Sequence, residues 1–172
     1  ITMMCWVKPA ATDAQWLMGK GDGSSQNYNL AINGSTKFNH DFYVSGTGHT
    51  VTSTTDVVAG VWYHVVITRE KSSGTHVMYV NGVAEDIDTD STSSIDNDDV
   101  GFTIGARDNK SLDFEGKISE AAIWNTALSA NQVKQLYNGR EPFDAKGIAL
   151  SNLKGYWRMG DGLIDLRPTP GQ

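Results

Sequence analysis

Along most of the chain, apolar and polar residues alternate in short bursts separated by glycine, proline and small polar residues. Residues 37–44 show this most plainly. Phe38, His40, Phe42 and Val44 fall on one side, and Lys37, Asn39, Asp41 and Tyr43 on the other, the period of two expected of a strand with one buried face. Residues 62–71 open with Trp62-Tyr63-His64-Val65-Val66-Ile67-Thr68, nearly all β-formers. Ser72-Ser73-Gly74 then turns the chain into a strand over 75–80. Asn81-Gly82 marks a tight hairpin, because both residue types accept positive φ, and the return strand begins at Val83. Further strands are predicted over residues 2–8 (closed by Pro9), 16–19, 28–32, 100–105, 112–124 and 155–159. In the segment 112–124, Ile118 and Ile123 are five apart and would face opposite ways in a regular strand. A bulge near residues 119–121, or cover on both faces, resolves the conflict.

One stretch follows a helical period instead. Ser129 is placed as N-cap for a helix over about 130–138, with Gln132 completing a capping box and Leu128 and Val133 at the hydrophobic-staple positions. Val133, Leu136 and Tyr137 share a face, and Gly139 stands where a left-handed residue would end the helix. A helix this short is expected to plug one end of a sandwich, its stripe serving as packing. The pattern predicts an all-β antiparallel sandwich with one short helix near residues 130–138.

Composition narrows the picture. The 172 residues suit one domain. The 18 glycines and dense Ser, Thr, Asp and Asn favour many short strands joined by tight turns. With 20 acidic against 14 basic residues the net charge is -6, which argues against nucleic acid as a partner. Much of the acidity is Asp, concentrated between Asp86 and Asp99. The single cysteine, Cys5, lies in the apolar run Met3-Met4-Cys5-Trp6-Val7 and reads as a buried, inert thiol. No apolar stretch approaches the roughly 18 residues of a membrane span. The sequence begins on Ile1, already inside a strand-like pattern, as a piece of a longer chain would. The domain is expected over residues 1–162. Residues 163–172, with Arg167-Pro168-Thr169-Pro170-Gly171-Gln172, read as linker or tail.

Several motifs in order resemble the laminin-G-like jelly roll of the concanavalin A-like lectin and glucanase superfamily. They are Cys5-Trp6-Val7-Lys8-Pro9, Lys20-Gly21-Asp22-Gly23, Trp62-Tyr63-His64-Val65, Tyr79-Val80-Asn81-Gly82, Ile104-Gly105, Phe114-Glu115-Gly116-Lys117-Ile118-Ser119-Glu120, and Ala127-Leu128-Ser129 through Leu136-Tyr137. Together they span most of residues 2–139. The resemblance implies a two-sheet antiparallel jelly-roll sandwich, often with calcium at its rim, and a structural role for His64. Two departures stand out. One or two strands that usually precede the first are not seen, so an N-terminal strand is expected to be missing. The segment 153–162 resembles the way such domains begin, so it either closes this sandwich or opens a following unit. Trp157-Arg158-Met159-Gly160-Asp161, after Asn125-Thr126-Ala127-Leu128-Ser129, also resembles domains of marine phage virion proteins. That implies a virion-surface or extracellular setting.

Candidate chemistry follows from residue types. Asp86-Ile87-Asp88-Thr89-Asp90 has the i, i+2 spacing that could pair carboxylates on one strand face. It lacks Glu and a flanking Trp, and is expected to be an exposed acidic strand or loop, so no catalytic residue is assigned. Asp96, Asp98 and Asp99, with Asn97 between them, form a loop oxygen cluster of the kind calcium takes, and Asp22 and Asp108-Asn109 could join it. The four histidines show no zinc spacing, and His64 is expected to be a hydrogen-bonded strand histidine. A sugar ring needs an aromatic platform and planar polar groups. Trp16, Tyr28 and Tyr43 with Asn27, Asn29 and Asn39, on neighbouring strands, are the candidates for it, against a reading of Trp16 and Tyr28 as core or rim residues. Three functions are consistent with this sequence. In order of preference they are a non-catalytic glycan-binding or adhesion module of a larger extracellular or virion protein, a structural or decoration module contacting neighbouring proteins within an oligomeric assembly, and a glycoside hydrolase.

Overall fold

The computed structural model describes residues 1–22, 26–90, 94–96 and 99–159, Gln26 by its backbone alone. The described strands form two antiparallel sheets. One has six strands in the order β11 (Leu153–Trp157), β10 (Gly116–Trp124), β1 (Thr2–Pro9), β6 (Tyr63–Glu70), β7 (Thr75–Val80) and β8 (Val83–Thr89). The other has five, in the order β5 (Thr47–Asp56), β4 (Lys37–Val44), β3 (Gln26–Ile32), β2 (Gln15–Gly21) and β9 (Phe102–Ile104). This is a jelly-roll sandwich. Strand alternation turns Met3, Cys5, Val65, Ile67 and Met78 of the first sheet toward Leu30, Ile32, Phe38, Phe42 and Val51 of the second, forming the main core. Burial of Cys5 in that core raises its thiol pKa well above the ordinary value.

The parity conflict in β10 is resolved by a bulge. Met4 pairs with Ala122 but Trp6 pairs with Ser119, so β10 carries an extra residue there. Glu120 takes up the left-handed conformation this requires (φ 52°). Ile118 and Ile123 consequently both pack on the main core.

The helix does not plug an end of the sandwich. The helix α1 (Ala130–Tyr137) lies on the outer face of the six-stranded sheet, where Val133 and Leu136 bury against Met4, Val66, Tyr79, Ala122 and Trp124. The turns after it add Ala145 and Ile148, and the indole N–H of Trp124 donates to the Ile148 carbonyl (2.9 Å). The capping box at Ser129 and Gln132 forms as expected, but the first left-handed residue after the helix is Asn138 (φ 44°), one position before Gly139. His64 is not hydrogen-bonded through its ring. It stacks beside Trp6 and Tyr137 under the helix, with ring centroids 5.1 and 5.8 Å away, and neither ring nitrogen has a partner among the described residues.

Both flanks of the sandwich are closed by side chains. On one flank Phe102 of β9 stacks on Trp157 of β11. On the other, carboxylates of β8 take the edge amides of β5: Asp86 Oδ2 accepts Thr52 N–H (2.9 Å), and Glu85 Oε2 accepts the N–H groups of Thr54 and Thr55 (2.8 Å each). The strand β5 itself was not expected. Its Thr, Ser and His residues carry a single aliphatic anchor, Val51. The strand β11 pairs with β10 over Ala121–Trp157 to Trp124–Leu153, continuing the six-stranded sheet. No helix among the described residues is long and apolar enough to cross a membrane.

Candidate functional site

With the outer face of one sheet under the helix, the outer face of the five-stranded sheet is where polar side chains converge. The register places Thr103, Gly19, Asn29, Asp41 and Thr50 in one row across all five strands. Trp16, Ala31, Asn39 and Thr52 make a second, adjacent row. None of these side chains belongs to either apolar cluster, as alternation against the inward Leu30, Ile32, Phe38 and Phe42 requires.

Asp41 organises the face. Its Oδ2 accepts from Asn29 Nδ2 (3.1 Å) and Asn39 Nδ2 (2.8 Å), its Oδ1 accepts from Thr50 Oγ1 (2.8 Å), and its backbone N–H donates to Asn29 Oδ1 (3.0 Å). One carboxylate thus ties three strands together and is left half-buried. Trp16 lies along the sheet with its indole against Gly19, where an added Cβ would meet Trp16 Cζ2 at 3.0 Å. Arg107, in the loop after β9, lies over that ring, with its Cζ 5.4 Å from the centroid. Four buried polar atoms on this face have no hydrogen-bond partner among the described residues: Trp16 Nε1, Asn39 Oδ1, Thr103 Oγ1 and Arg107 Nε.

Five of the six candidate sugar-binding residues share this face, but not as an open aromatic platform. Trp16 is only 2% exposed, Asn27, Asn29 and Asn39 are buried, and Tyr43 is half-buried with its ring against Gly48. Tyr28 points the other way and packs on the main core, where burial raises its hydroxyl pKa. Asp41, Thr103 and Arg107 were missed. Asp41 had a signal, since it alternates with Asn39 and Tyr43 on the polar side of β4, whereas nothing local marks a loop arginine as lying over a distant tryptophan.

The acidic candidates are largely engaged in structure. Asp96 uses both carboxylate oxygens to accept the N–H groups of Ser45 and Gly46 (2.8 Å each), capping the β4–β5 turn. Asp99 is exposed, and Asp98 and Asn97 lie outside the described residues. Asp108 accepts from Gly101 N–H (3.2 Å), and the Asp22 carbonyl accepts from Asn109 Nδ2. Among the described residues, no group of three or more His, Cys, Asp or Glu is arranged to hold a metal ion. The Asp86, Asp88 and Asp90 carboxylates go separate ways: Asp86 to the β5 edge, Asp88 toward His49 (3.7 Å), and Asp90 to Arg69 (3.0 Å). The Asp90 side chain is buried, not solvated as expected for an exposed acidic strand, because Arg69 and His76 surround it between the sheets.

A family model for Laminin_G_3, of the concanavalin A-like lectin/glucanases superfamily, matches residues 1–134. The chain belongs to this family. A comparison with curated protein sequences gives no match. Among solved structures, this Laminin_G_3 domain is similar to a Bacteroides ovatus protein with a proposed carbohydrate-binding role (TM-score 0.73, 23% identity, 93% of this chain). It spans 45% of that protein's length. It is also similar to the CBM40 of the Ruminococcus gnavus IT-sialidase bound to α2,3 sialyllactose (TM-score 0.65, 17% identity, 79% of this chain and 80% of that one). A third is domain 4 of a Geobacillus stearothermophilus GH43 extracellular arabinanase in complex with arabinotriose (TM-score 0.60, 22% identity, 79% of this chain and 65% of that one). At these identities the likeness shows the fold of the Laminin_G_3 domain.

Proposed function

We propose that this domain is a non-catalytic glycan-binding module of a larger extracellular protein, and that the outer face of the five-stranded sheet takes the glycan. One observation carries the reading: hydrogen-bonding atoms of Trp16, Asn39, Thr103 and Arg107 lie buried and unpartnered on the face that the carboxylate of Asp41 organises through Asn29, Asn39 and Thr50. Buried polar atoms are ordinarily satisfied, and a sugar's hydroxyls would satisfy these once the side chains that cover them shift. The sialyllactose- and arabinotriose-bound relatives support an oligosaccharide as the ligand class. The dispersal of Asp86, Asp88 and Asp90 to three different structural partners supports a role without hydrolysis.

The test is a glycan-array screen of the domain, run with calcium and with a chelator, followed by titration of Asp41→Ala and Tyr43→Ala against the best glycan. The reading expects binding that falls at least tenfold in Asp41→Ala. Loss of binding in the chelator would extend the proposal to calcium held by the loop of Asp96 and Asp99. An array without any bound glycan overturns it.

A further inference from the structure

Arg107 lies at one end of this face, over the Trp16 ring. Its loop is fixed by backbone bonds, from Arg107 N–H to the Ser111 carbonyl (3.0 Å) and from Lys110 N–H to the Arg107 carbonyl (2.9 Å). Asn109, through the Asp22 carbonyl, and Asp108, through Gly101 N–H, tie the loop to the ends of β2 and β9. The guanidinium is therefore pre-placed over Trp16. Among the described residues no carboxylate lies within ion-pairing distance of it, and its buried Nε has no hydrogen-bond partner. Arg69 shows the contrast, since its guanidinium is met by Asp90 through three hydrogen bonds of 3.0–3.1 Å.

The neighbours of Arg107 are donors too. The Cζ2 edge of the Trp16 indole, the edge that carries Nε1, lies against Gly19, and Thr103 is the register partner of Gly19. Trp16 Nε1–H, the Thr103 hydroxyl and Arg107 thus gather at one end of the polar rows, all with unpartnered buried atoms. The acceptor Asp41 stands two strands from Trp16 and three from Thr103, on the order of 10–14 Å at the usual strand spacing. A half-buried guanidinium without a counter-charge is costly. Its planar fork of N–H groups suits the two oxygens of a carboxylate better than a single hydroxyl.

We propose that the glycan taken by this face is an acidic one, and that Arg107, seated on Trp16, receives the carboxylate of a sialic or uronic acid while Asp41 receives hydroxyls of the same chain. This rests on the glycan-binding reading above. The test compares matched pairs by titration: sialyllactose against lactose, and a uronic-acid oligosaccharide against its methyl ester. At least one acidic member is expected to bind tenfold or more tighter than its neutral partner, and Arg107→Ala is expected to erase that difference. Arg107→Lys, which keeps the charge but not the fork, is expected to restore only part of it. Equal binding within both pairs overturns the inference while leaving the glycan reading intact, as does a preference that survives in Arg107→Ala. No binding by any of the four sugars, or by any glycan of the array, removes both. The wild-type pairs decide whether the glycan is acidic even if Arg107→Ala fails to fold, and Arg107→Lys then tests the role of the guanidinium.

Discussion

The rings of Phe42 and His76 stack across the two sheets with centroids 3.5 Å apart and an interplanar angle of 16°. His40 lies beside both rings, its centroid 4.9 Å from that of Phe42 and 5.4 Å from that of His76. The core therefore contains imidazoles that must stay neutral, and the first prediction follows from that.

Burial lowers the pKa of His40 to about 4 and that of His64 to about 3, against 6.5 for the free side chain. Burial, reinforced by His40 and the Arg69 guanidinium, lowers that of His76 to about 2. The unfolded chain then binds more protons than the folded one below pH 6.5. The stability these groups contribute is complete above that pH and is lost as pH falls toward the folded values. Urea midpoints measured at pH 7.5, 6 and 5 should fall steadily below 6.5, by on the order of 1 kcal/mol per pH unit for each histidine. A flat profile between pH 7.5 and 5 would contradict it.

Glu85 holds the edge of β5 through two backbone N–H groups and the Thr55 hydroxyl. Glu85→Ala should lower stability by about 1–2 kcal/mol. It should also increase aggregation on storage, because an uncapped strand edge is a template for pairing. Denaturant midpoints and light scattering check the two effects separately.

Asp90 is the counter-charge of a buried guanidinium, with side-chain exposures of 0% and 4% for Asp90 and Arg69. Asp90→Ala should cost about 3 kcal/mol, whereas Asp88→Ala, removing a half-exposed carboxylate 3.7 Å from His49, should cost under about 1 kcal/mol. Thermal melts of the pair provide the comparison.

Gly82 and Gly60 both adopt left-handed φ, 75° and 79°. An added Cβ at Gly82 meets the Tyr137 ring at 2.9 Å, while one at Gly60 meets nothing within 4 Å. Alanine at either position brings the left-handed strain of about 1–2 kcal/mol. Gly82→Ala should cost about 1 kcal/mol more, since it also pushes on the helix. Equal costs would show that the helix yields freely.

Much of the fold was legible because strand alternation is local. The two sides of β4 read directly from Phe38, His40, Phe42 and Val44, and the five-residue spacing of Ile118 and Ile123 left a bulge or a doubly covered strand, of which the structure has the bulge at Glu120. The helix was legible from Ser129, Gln132 and its apolar stripe, but its location was not, because a stripe says that a face is covered without saying which surface covers it. The strand β5 escaped because its pairing rests on β4 and on carboxylates contributed from β8, more than thirty positions along the chain. The candidate face was half legible. Asn29 and Asn39 were recognisable by residue type, while their common partner Asp41, the inward turn of Tyr28 and the placement of Arg107 on Trp16 depend on register between strands. The acidity near residue 96 was legible as a cluster, but not that Asp96 accepts the backbone N–H groups of Ser45 and Gly46 at the β4–β5 turn, because that contact joins positions about fifty apart.

The helix on the six-stranded sheet has a consequence for valence. By covering the outer face of the six-stranded sheet with Val133 and Leu136, it leaves the five-stranded face as the broad polar surface, so under the proposed function a single copy would hold one strand of polymer at a time. Firm attachment to a repetitive coat would then come from copies displayed side by side, each lending its neighbours a high effective concentration.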